Sequence, residues 1–97
     1  MRQKRAIAQP LAMMAVFTLV VDAGTFTGAA RRMGMAKSMV SRAIAELERE
    51  LGVVLLHRTT RRVTPTEAGL RFYEGCARML ATAEAAENSW LASGAAF

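Results

Sequence analysis

The 97 residues of the chain suffice for one folded domain, and 53% of them are hydrophobic, with nineteen alanines, so the composition favours a helical fold over disorder. The chain has one cysteine and one histidine, which excludes an internal disulfide framework and a multi-thiolate zinc site. The same shortage argues against a hydrolase or metalloenzyme, and we expect no cofactor. The net charge of +5 is uneven, because residues 1–62 carry eleven Lys and Arg against four Asp and Glu; this indicates a polyanionic partner, or else a solvated basic surface.

The first predicted element is a helix from Leu11 to Ala23, preceded by a basic N-terminal extension over residues 1–10. Pro10 suits a helix start, and we expect Gly24 to end the helix because glycine accepts the left-handed conformation. The apolar face of this helix consists of Met13, Met14, Val16, Phe17, Val20 and Val21.

This end of the chain also has some likeness to a secretory signal peptide, since basic residues at positions 2, 4 and 5 precede the apolar run 11–21. The run is too short to span a bilayer, and Asp22 stands where a cleavage site needs a small apolar residue. We therefore expect a cytoplasmic protein without a membrane segment. The alternative is a small secreted protein with a mature N-terminus near Gly24.

Two further helices follow, separated by a short turn. A hydroxyl in Thr25-Phe26-Thr27 is expected to cap a helix from about Gly28 to Met33, which ends at Gly34. The next helix is predicted from about Lys37 to Leu51, with Gly52 ending it. Its expected buried stripe consists of Val40, Ile44, Leu47 and Leu51.

The small residues in these two helices are typical of a helix-turn-helix. Ala29 and Ala30 let two helices cross closely, and Gly34 permits the turn between them. The outward face of the second helix has its cations and hydroxyls in the first half and its acids in the second half: Lys37, Ser38, Ser41 and Arg42, then Glu46, Glu48 and Glu50. Because the N-terminal end of a helix favours anions, this pattern indicates a helix that enters DNA; the alternative is an ordinary solvated amphipathic helix.

A short hairpin is predicted after Gly52. The run Val53 to Leu56 indicates a first strand and Val63 begins a second, with a basic tip over residues 57–62. The candidate DNA-contacting residues of the tip are Arg58, Thr59, Thr60, Arg61 and Arg62. Such a tip lies along the phosphate backbone in a winged helix and can send an arginine into the minor groove, whereas an arginine pair alone is usually a solvated turn.

The last predicted element is a helix over about 66–91. Thr64 would cap it, with Pro65 at the first helical position and Glu67 completing a capping box, and Thr66 is the competing cap. The helix has more apolar surface than a small domain buries on one side, so we expect a homodimer interface along it; the alternative is that all of this surface is intramolecular core. The candidate interface residues are Leu70, Tyr73, Cys76, Met79, Leu80, Ala83 and Trp90.

The stretch from Phe17 through Gly69 resembles the DNA-binding domain of LysR-type transcriptional regulators. The matching positions are Phe17, Ala23-Gly-Thr-Phe-Thr27, Ala29-Ala-Arg-Arg-Met-Gly34, Val40-Ser-Arg42, Ile44, Leu47-Glu48, Leu51-Gly-Val53, Leu55-Leu-His-Arg-Thr-Thr-Arg61 and Thr66-Glu-Ala-Gly69. The resemblance implies a mainly α fold, a winged helix-turn-helix with a two-stranded β wing and a long C-terminal helix that pairs with its copy in a dimer. We thus expect a DNA-binding domain over 11–65, a linker and dimerisation helix over 66–91 and a frayed tail over 92–97.

The same resemblance implies roles for individual side chains. Lys37, Ser38, Ser41 and Arg42 would face the major groove, Arg61 would probe the minor groove, and Thr27 would lie near a phosphate.

The resemblance also implies a structural pair between Glu48 and Arg58 at the base of the wing. Two positions depart from the family pattern. Ala36 stands where a serine or threonine usually caps the recognition helix, so the helix is expected to begin less firmly. Lys37 stands where glutamine is frequent, which leaves the preferred base at that position open.

We therefore expect a transcriptional regulator, not an enzyme, that binds double-stranded DNA as a dimer on an inverted repeat and is associated with the nucleoid. Full-length members of the family continue into a ligand-sensing domain. We expect no such domain within these 97 residues, and hence no small-molecule effector bound to them. This expectation is the same whether the 97 residues are a short natural protein or a fragment of a longer regulator. Two alternatives remain: a winged-helix module that binds protein, and a partner that forms mixed dimers with full-length relatives.

Overall fold

A computed structural model describes residues 8–92, with side chains from 11 to 90, and over this range the chain forms four helices and one β-hairpin. The elements are α1 (Ala8–Ala23), α2 (Phe26–Met33), α3 (Lys37–Leu51), β1 (Leu56–Arg58), β2 (Val63–Pro65) and α4 (Glu67–Ala92). This arrangement confirms the predicted mainly α winged helix-turn-helix. The predicted N-terminal extension and frayed tail fall mostly outside the described residues, at 1–7 and 93–97.

Helix α1 begins at Ala8, earlier than the predicted start at Leu11. Pro10 falls in the first turn, where the backbone N–H groups of a helix have no partner, so proline is tolerated there and does not mark the start. Phe17 and Val20 on this helix are fully buried. Gly24 ends the helix as predicted, with a φ of +74° and its N–H bonded to the Val20 carbonyl at 2.9 Å.

Helix α2 begins at Phe26, also earlier than predicted, because Thr25 is its cap. The Thr25 hydroxyl oxygen accepts a hydrogen bond from the Gly28 N–H at 2.9 Å. Ala29 and Ala30 are buried, so α2 packs through small side chains as predicted. Gly34 ends the helix with a φ of +64° and directs the chain into α3.

Helix α3 has the predicted bounds, and Val40, Ile44 and Leu47 are buried on its inner side. The prediction that Leu51 completes this buried stripe was wrong, since its exposed fraction is 42%. Helical spacing alone therefore overestimates the length of the buried face of α3.

The wing is an antiparallel pair in which Leu56 faces Pro65, His57 faces Thr64 and Arg58 faces Val63. The first strand therefore begins later than predicted and includes Arg58, while Val53 and Val54 lie exposed in the turn after α3. The chain has to reverse direction after Gly52 before it can pair, and this turn takes up the first residues of the apolar run. A hydrogen bond of 2.9 Å from the Val63 N–H to the Gly24 carbonyl attaches β2 to the turn between α1 and α2.

Thr66, not Thr64, caps α4. The Thr66 hydroxyl accepts from the Gly69 N–H at 2.9 Å and donates to the Val54 carbonyl at 2.8 Å. The favoured prediction of a capping box at Thr64 was wrong because Thr64 pairs within β2. Gly69 is buried directly against Leu55, and a Cβ there would overlap the Leu55 carbonyl oxygen, so the first turn of α4 is fixed to the base of the wing.

The lower part of α4 packs on α1. The rings of Phe17 and Phe72 meet edge to face with centroids 5.3 Å apart, and Cys76 is buried in the same core. The Tyr73 hydroxyl donates to the Asp22 carboxylate at 2.6 Å, which joins the two helices at their edge. Residues 81–90 are all exposed, so the upper part of α4 extends beyond the core. Among residues 8–92, no helix is long and apolar enough to cross a membrane.

Candidate nucleic-acid interface

The first turns of α3 present their polar residues to solvent. Lys37, Ser38 and Arg42 are exposed and Ser41 is half-buried, whereas Val40 between them is fully buried. This confirms the orientation predicted for the helix, with its cations and hydroxyls directed away from the core.

The N-terminus of α3 lacks a side-chain cap, as the sequence predicted. Ala36 has the extended backbone of a capping residue, with φ −72° and ψ 143°, and its carbonyl accepts from the Val40 N–H at 3.2 Å. Its methyl group accepts no hydrogen bond, so the first-turn N–H groups can donate only to its carbonyl, as the Met39 N–H does at 3.0 Å. With Lys37 beside them, these groups make a positively polarised end to the helix.

The tip of the wing is held by hydrogen bonds within residues 59–62. The Thr59 N–H donates to the Arg62 carbonyl at 2.9 Å. The Thr59 hydroxyl accepts from the N–H groups of Arg61 at 3.3 Å and Arg62 at 2.9 Å, and donates to the Arg62 carbonyl at 3.3 Å. Thr60, Arg61 and Arg62 are exposed, so both arginines of the tip extend from an organised turn.

The base of the wing is organised by one carboxylate on α3. Glu48 Oε1 accepts from Arg58 Nη2 at 3.2 Å, and Glu48 Oε2 accepts from the N–H groups of Leu55 at 2.8 Å and Leu56 at 3.2 Å. The pair between Glu48 and Arg58 is therefore confirmed. The Arg58 guanidinium also lies 5.0 Å above the centre of the Phe26 ring, so its charge has partners within the domain.

The wing tip, the start of α2 and the start of α3 line one shallow groove. Its lining consists of Thr25, Phe26, Thr27, Lys37 and residues 59–63. The structure thus brings together Thr27, Lys37 and the arginines of the tip. Ser38, Ser41 and Arg42 do not line this groove; Ser38 and Arg42 are exposed on α3, and Ser41 is half-buried.

Two structural roles near this groove were missed by the sequence analysis. Phe26 was considered only as part of a helix cap, yet its ring supports Arg58, which is remote in the chain. Glu48 was expected to pair with Arg58, but its hydrogen bonds to two wing N–H groups were not foreseen. An acid on α3 followed by a tight turn is the local signal that could have suggested the bonds of Glu48, whereas no local signal indicates the role of Phe26.

The candidate dimer residues on α4 differ in their exposure to solvent. Leu70, Met79, Ala83 and Trp90 are exposed, while Tyr73 and Leu80 are half-buried. Cys76 has an exposed fraction of only 1%, so its place in a dimer interface is corrected: it belongs to the core of the domain itself. Burial raises the pKa of the Cys76 thiol to about 11, and the hydrogen bond to Asp22 raises the pKa of Tyr73.

An apolar groove lies beside these exposed residues, between the start of α1 and the middle of α4. It is lined by Leu11, Gly75, Arg78, Met79, Thr82 and Ala83. It is on a different part of the domain from the groove of the wing, since the two share no lining residue.

Comparison with known sequences gives one family. The family of bacterial regulatory helix-turn-helix proteins of the lysR type matches residues 11–70. The chain is 47% identical over 74 residues to an HTH-type transcriptional regulator of Xanthomonas campestris pv. campestris, which covers 76% of this chain and 22% of that protein. It is 51% identical over 67 residues to the transcriptional activator AaeR of Escherichia coli K12, covering 69% of this chain and 22% of AaeR. The chain therefore spans about a fifth of the length of these relatives.

Comparison with solved structures gives the same result. The DNA-binding domain of BenM, in complex with catB site 1 DNA, superposes with a TM-score of 0.82 at 31% identity, covering 90% of this chain and 97% of that domain. The CbnR DNA-binding domain in its DNA complex superposes with a TM-score of 0.78 at 32% identity, covering 88% and 98%. The chain belongs to the LysR family of bacterial transcriptional regulators, and its fold is that of the family's DNA-binding domain, not that of an enzyme.

Proposed function

We propose that this domain reads a specific double-stranded DNA sequence, with α3 in the major groove and the wing against the neighbouring backbone and minor groove. The observation that carries the proposal is the exposure of Lys37, Ser38 and Arg42 on one side of α3, while Val40 and Ile44 anchor the other side. A helix held in this way can enter the groove without rearranging the core. The similar BenM and CbnR domains were solved in complex with DNA, which supports DNA as the partner of this fold.

The chemistry of these side chains suits base recognition. Lysine and arginine donate to the O6 and N7 atoms of guanine, so Lys37 and Arg42 are the residues expected to select G·C pairs. Ser38 and Ser41 can donate to or accept from bases and phosphates. Thr27 is exposed at the start of α2, and its hydroxyl would contact a phosphate at the edge of the same DNA groove.

The wing residues Arg58 to Arg62 would lie along the backbone, with Arg61 in the minor groove. Arg61 and Arg62 are exposed at the tip and contribute positive charge to the groove that they share with Lys37. Arg58 acts from further back, since Glu48 and Phe26 hold its guanidinium.

The domain would act as a homodimer through residues 66–90 on an inverted repeat. The exposed apolar residues of α4, with Met79 47% exposed, and the groove between α1 and α4 support this assembly. Two copies related by a twofold axis would present two α3 helices to two half-sites. The same surface would accept a full-length relative in a mixed dimer. A regulator of this kind would be found with the nucleoid in the cytoplasm.

Selection of bound duplexes from a random pool tests this proposal. The wild-type domain should enrich an inverted repeat, and Arg42→Ala should lose discrimination at one position of each half-site, by about 1–3 kcal/mol, because it removes a base contact. Arg49→Ala is the matched control, since Arg49 is an exposed arginine in the acidic second half of α3. Enrichment of no sequence, or equal effects of both substitutions, would contradict the proposal.

A further inference from the structure

The four residues of the wing tip lack the usual turn formers. Thr59-Thr60-Arg61-Arg62 contains no Gly, Asn, Asp or Pro, and among residues 8–92 only glycines have a positive φ. The tight two-residue hairpin turns need positive φ angles, so this tip cannot use them. The tip is therefore a longer loop, and in such a loop a side-chain hydroxyl can hold the backbone of the turn.

The Thr59 hydroxyl has this role in the wing tip. It accepts hydrogen bonds from the N–H groups of Arg61 and Arg62 and donates one to the Arg62 carbonyl. A hydroxyl has one proton to donate and two lone pairs to accept with, so these three bonds use its full capacity. The Thr59 hydroxyl therefore cannot bind a phosphate without giving up part of the turn.

We infer that Thr59 is a positioning residue that directs Arg61, rather than a residue that contacts DNA. This inference rests on the proposed function, in which Arg61 enters the minor groove. Two successive N–H groups bound to one oxygen fix the backbone of Arg61 and Arg62, and so fix the direction in which the Arg61 side chain leaves the tip. Binding then loses less conformational entropy, since the tip is ordered before it meets the duplex.

The position of the wing tip also affects the groove that the tip forms with the starts of α2 and α3. Residues 59–63 line one groove with Thr27 and Lys37, so a change in the turn alters the separation of the wing from the first residue of α3. Contacts made by the wing and by α3 to one duplex require that separation to be constant. By holding the turn, Thr59 thus helps to set the distance between the wing tip and α3.

The test compares Thr59→Val, which keeps the branched shape and removes the hydroxyl, with Thr59→Ser, which keeps the hydroxyl. Thr64→Val is the matched control, because Thr64 is an exposed threonine on β2 that makes no side-chain hydrogen bond within the described residues. Dissociation constants are measured on the selected duplex, both in the wild-type background and with Arg61→Gln.

We expect Thr59→Val to weaken binding about five-fold, Thr59→Ser to stay within about two-fold of the wild type, and Thr64→Val to have no effect. In the Arg61→Gln background, Thr59→Val should weaken binding by less than about two-fold, since most of its effect is exerted through Arg61. Exchange of the Arg61 and Arg62 N–H groups with solvent, measured by NMR, should become faster in Thr59→Val.

Two results would overturn the inference and leave the proposed function intact: a loss in the Arg61→Gln background as large as in the wild-type background, which marks an effect of Thr59 independent of Arg61, or wild-type affinity and exchange in Thr59→Val. If Arg61→Gln alone binds as tightly as the wild type, the wing part of the proposed function fails, and the inference fails with it. Weak binding by Thr59→Ser would show that shape, not the hydroxyl, is what matters.

Discussion

At the scale of single residues, the start of α3 is the place where this chain departs most clearly from an optimal sequence. Ala36 occupies the cap position with the extended backbone that a capping residue adopts, yet its side chain offers no acceptor. A serine there would need no change in the backbone to reach the N–H groups of the first turn. The helix that would meet DNA is therefore held by packing at Val40 and Ile44 more than by its own end.

Replacing this residue should stabilise the domain. We expect Ala36→Ser to raise the free energy of unfolding by about 1 kcal/mol, because the new hydroxyl would accept from an unsatisfied N–H group. Urea denaturation followed by circular dichroism measures it. Ala45→Ser is the control, since Ala45 is exposed inside α3, where serine should cost a few tenths of a kcal/mol. Equal effects of the two serines would rule out the capping explanation.

At the scale of elements, the wing and α3 behave as one unit because of Glu48. Its carboxylate binds two N–H groups at the base of the wing and the Arg58 side chain, and the side chain of Glu48 is only 18% exposed. Removal of such an acceptor leaves several donors without a partner, and this costs more than loss of one hydrogen bond.

We expect Glu48→Ala to lower the free energy of unfolding by about 2–3 kcal/mol and to increase wing motion in NMR relaxation. Glu46→Ala, on the exposed side of the same helix, should change stability by less than about 0.5 kcal/mol. A wing that is as ordered in Glu48→Ala as in the wild type would mean that the β-pairing and the Val63 contact to Gly24 hold it unaided.

The elements differ in how well the sequence predicts them, for a physical reason. The bounds of α3 follow from local signals, a glycine turn before it and Gly52 after it, and they were predicted correctly. The cap of α4 depends on tertiary contacts: Thr66 is favoured over Thr64 because its hydroxyl also reaches the Val54 carbonyl. Likewise, nothing local shows that the Phe26 ring supports Arg58, or that Gly69 touches Leu55.

At the scale of the whole molecule, the apolar side of α4 extends beyond the part of the helix that the core covers. Phe72 and Cys76 pack inside, and the same side of the helix continues with Met79 and Ala83, which are exposed. Residues spaced by three and four positions share a helix side, so this apolar stripe is continuous. A second copy of the helix is the partner that would cover it.

A charge placed on this stripe should separate the copies. We expect the wild-type domain to have the mass of a dimer in solution and Met79→Glu to have that of a monomer, since burying an unpaired carboxylate opposes association. Analytical ultracentrifugation measures it. Ala81→Glu adds the same charge on the opposite side of α4 and should leave the dimer intact. If Met79→Glu kept the dimer mass, the interface would have to lie elsewhere.

The burial of Cys76 makes this protein convenient for spectroscopy. Its thiol is enclosed between α1 and α4, and its pKa of about 11 keeps it protonated at neutral pH, so maleimide reagents should leave it unmodified in the native fold. A fluorophore can therefore be attached to a cysteine introduced at an exposed position, without first deleting the native one. Energy transfer from such a label to a dye on an oligonucleotide would then report the docking of one chosen element in real time.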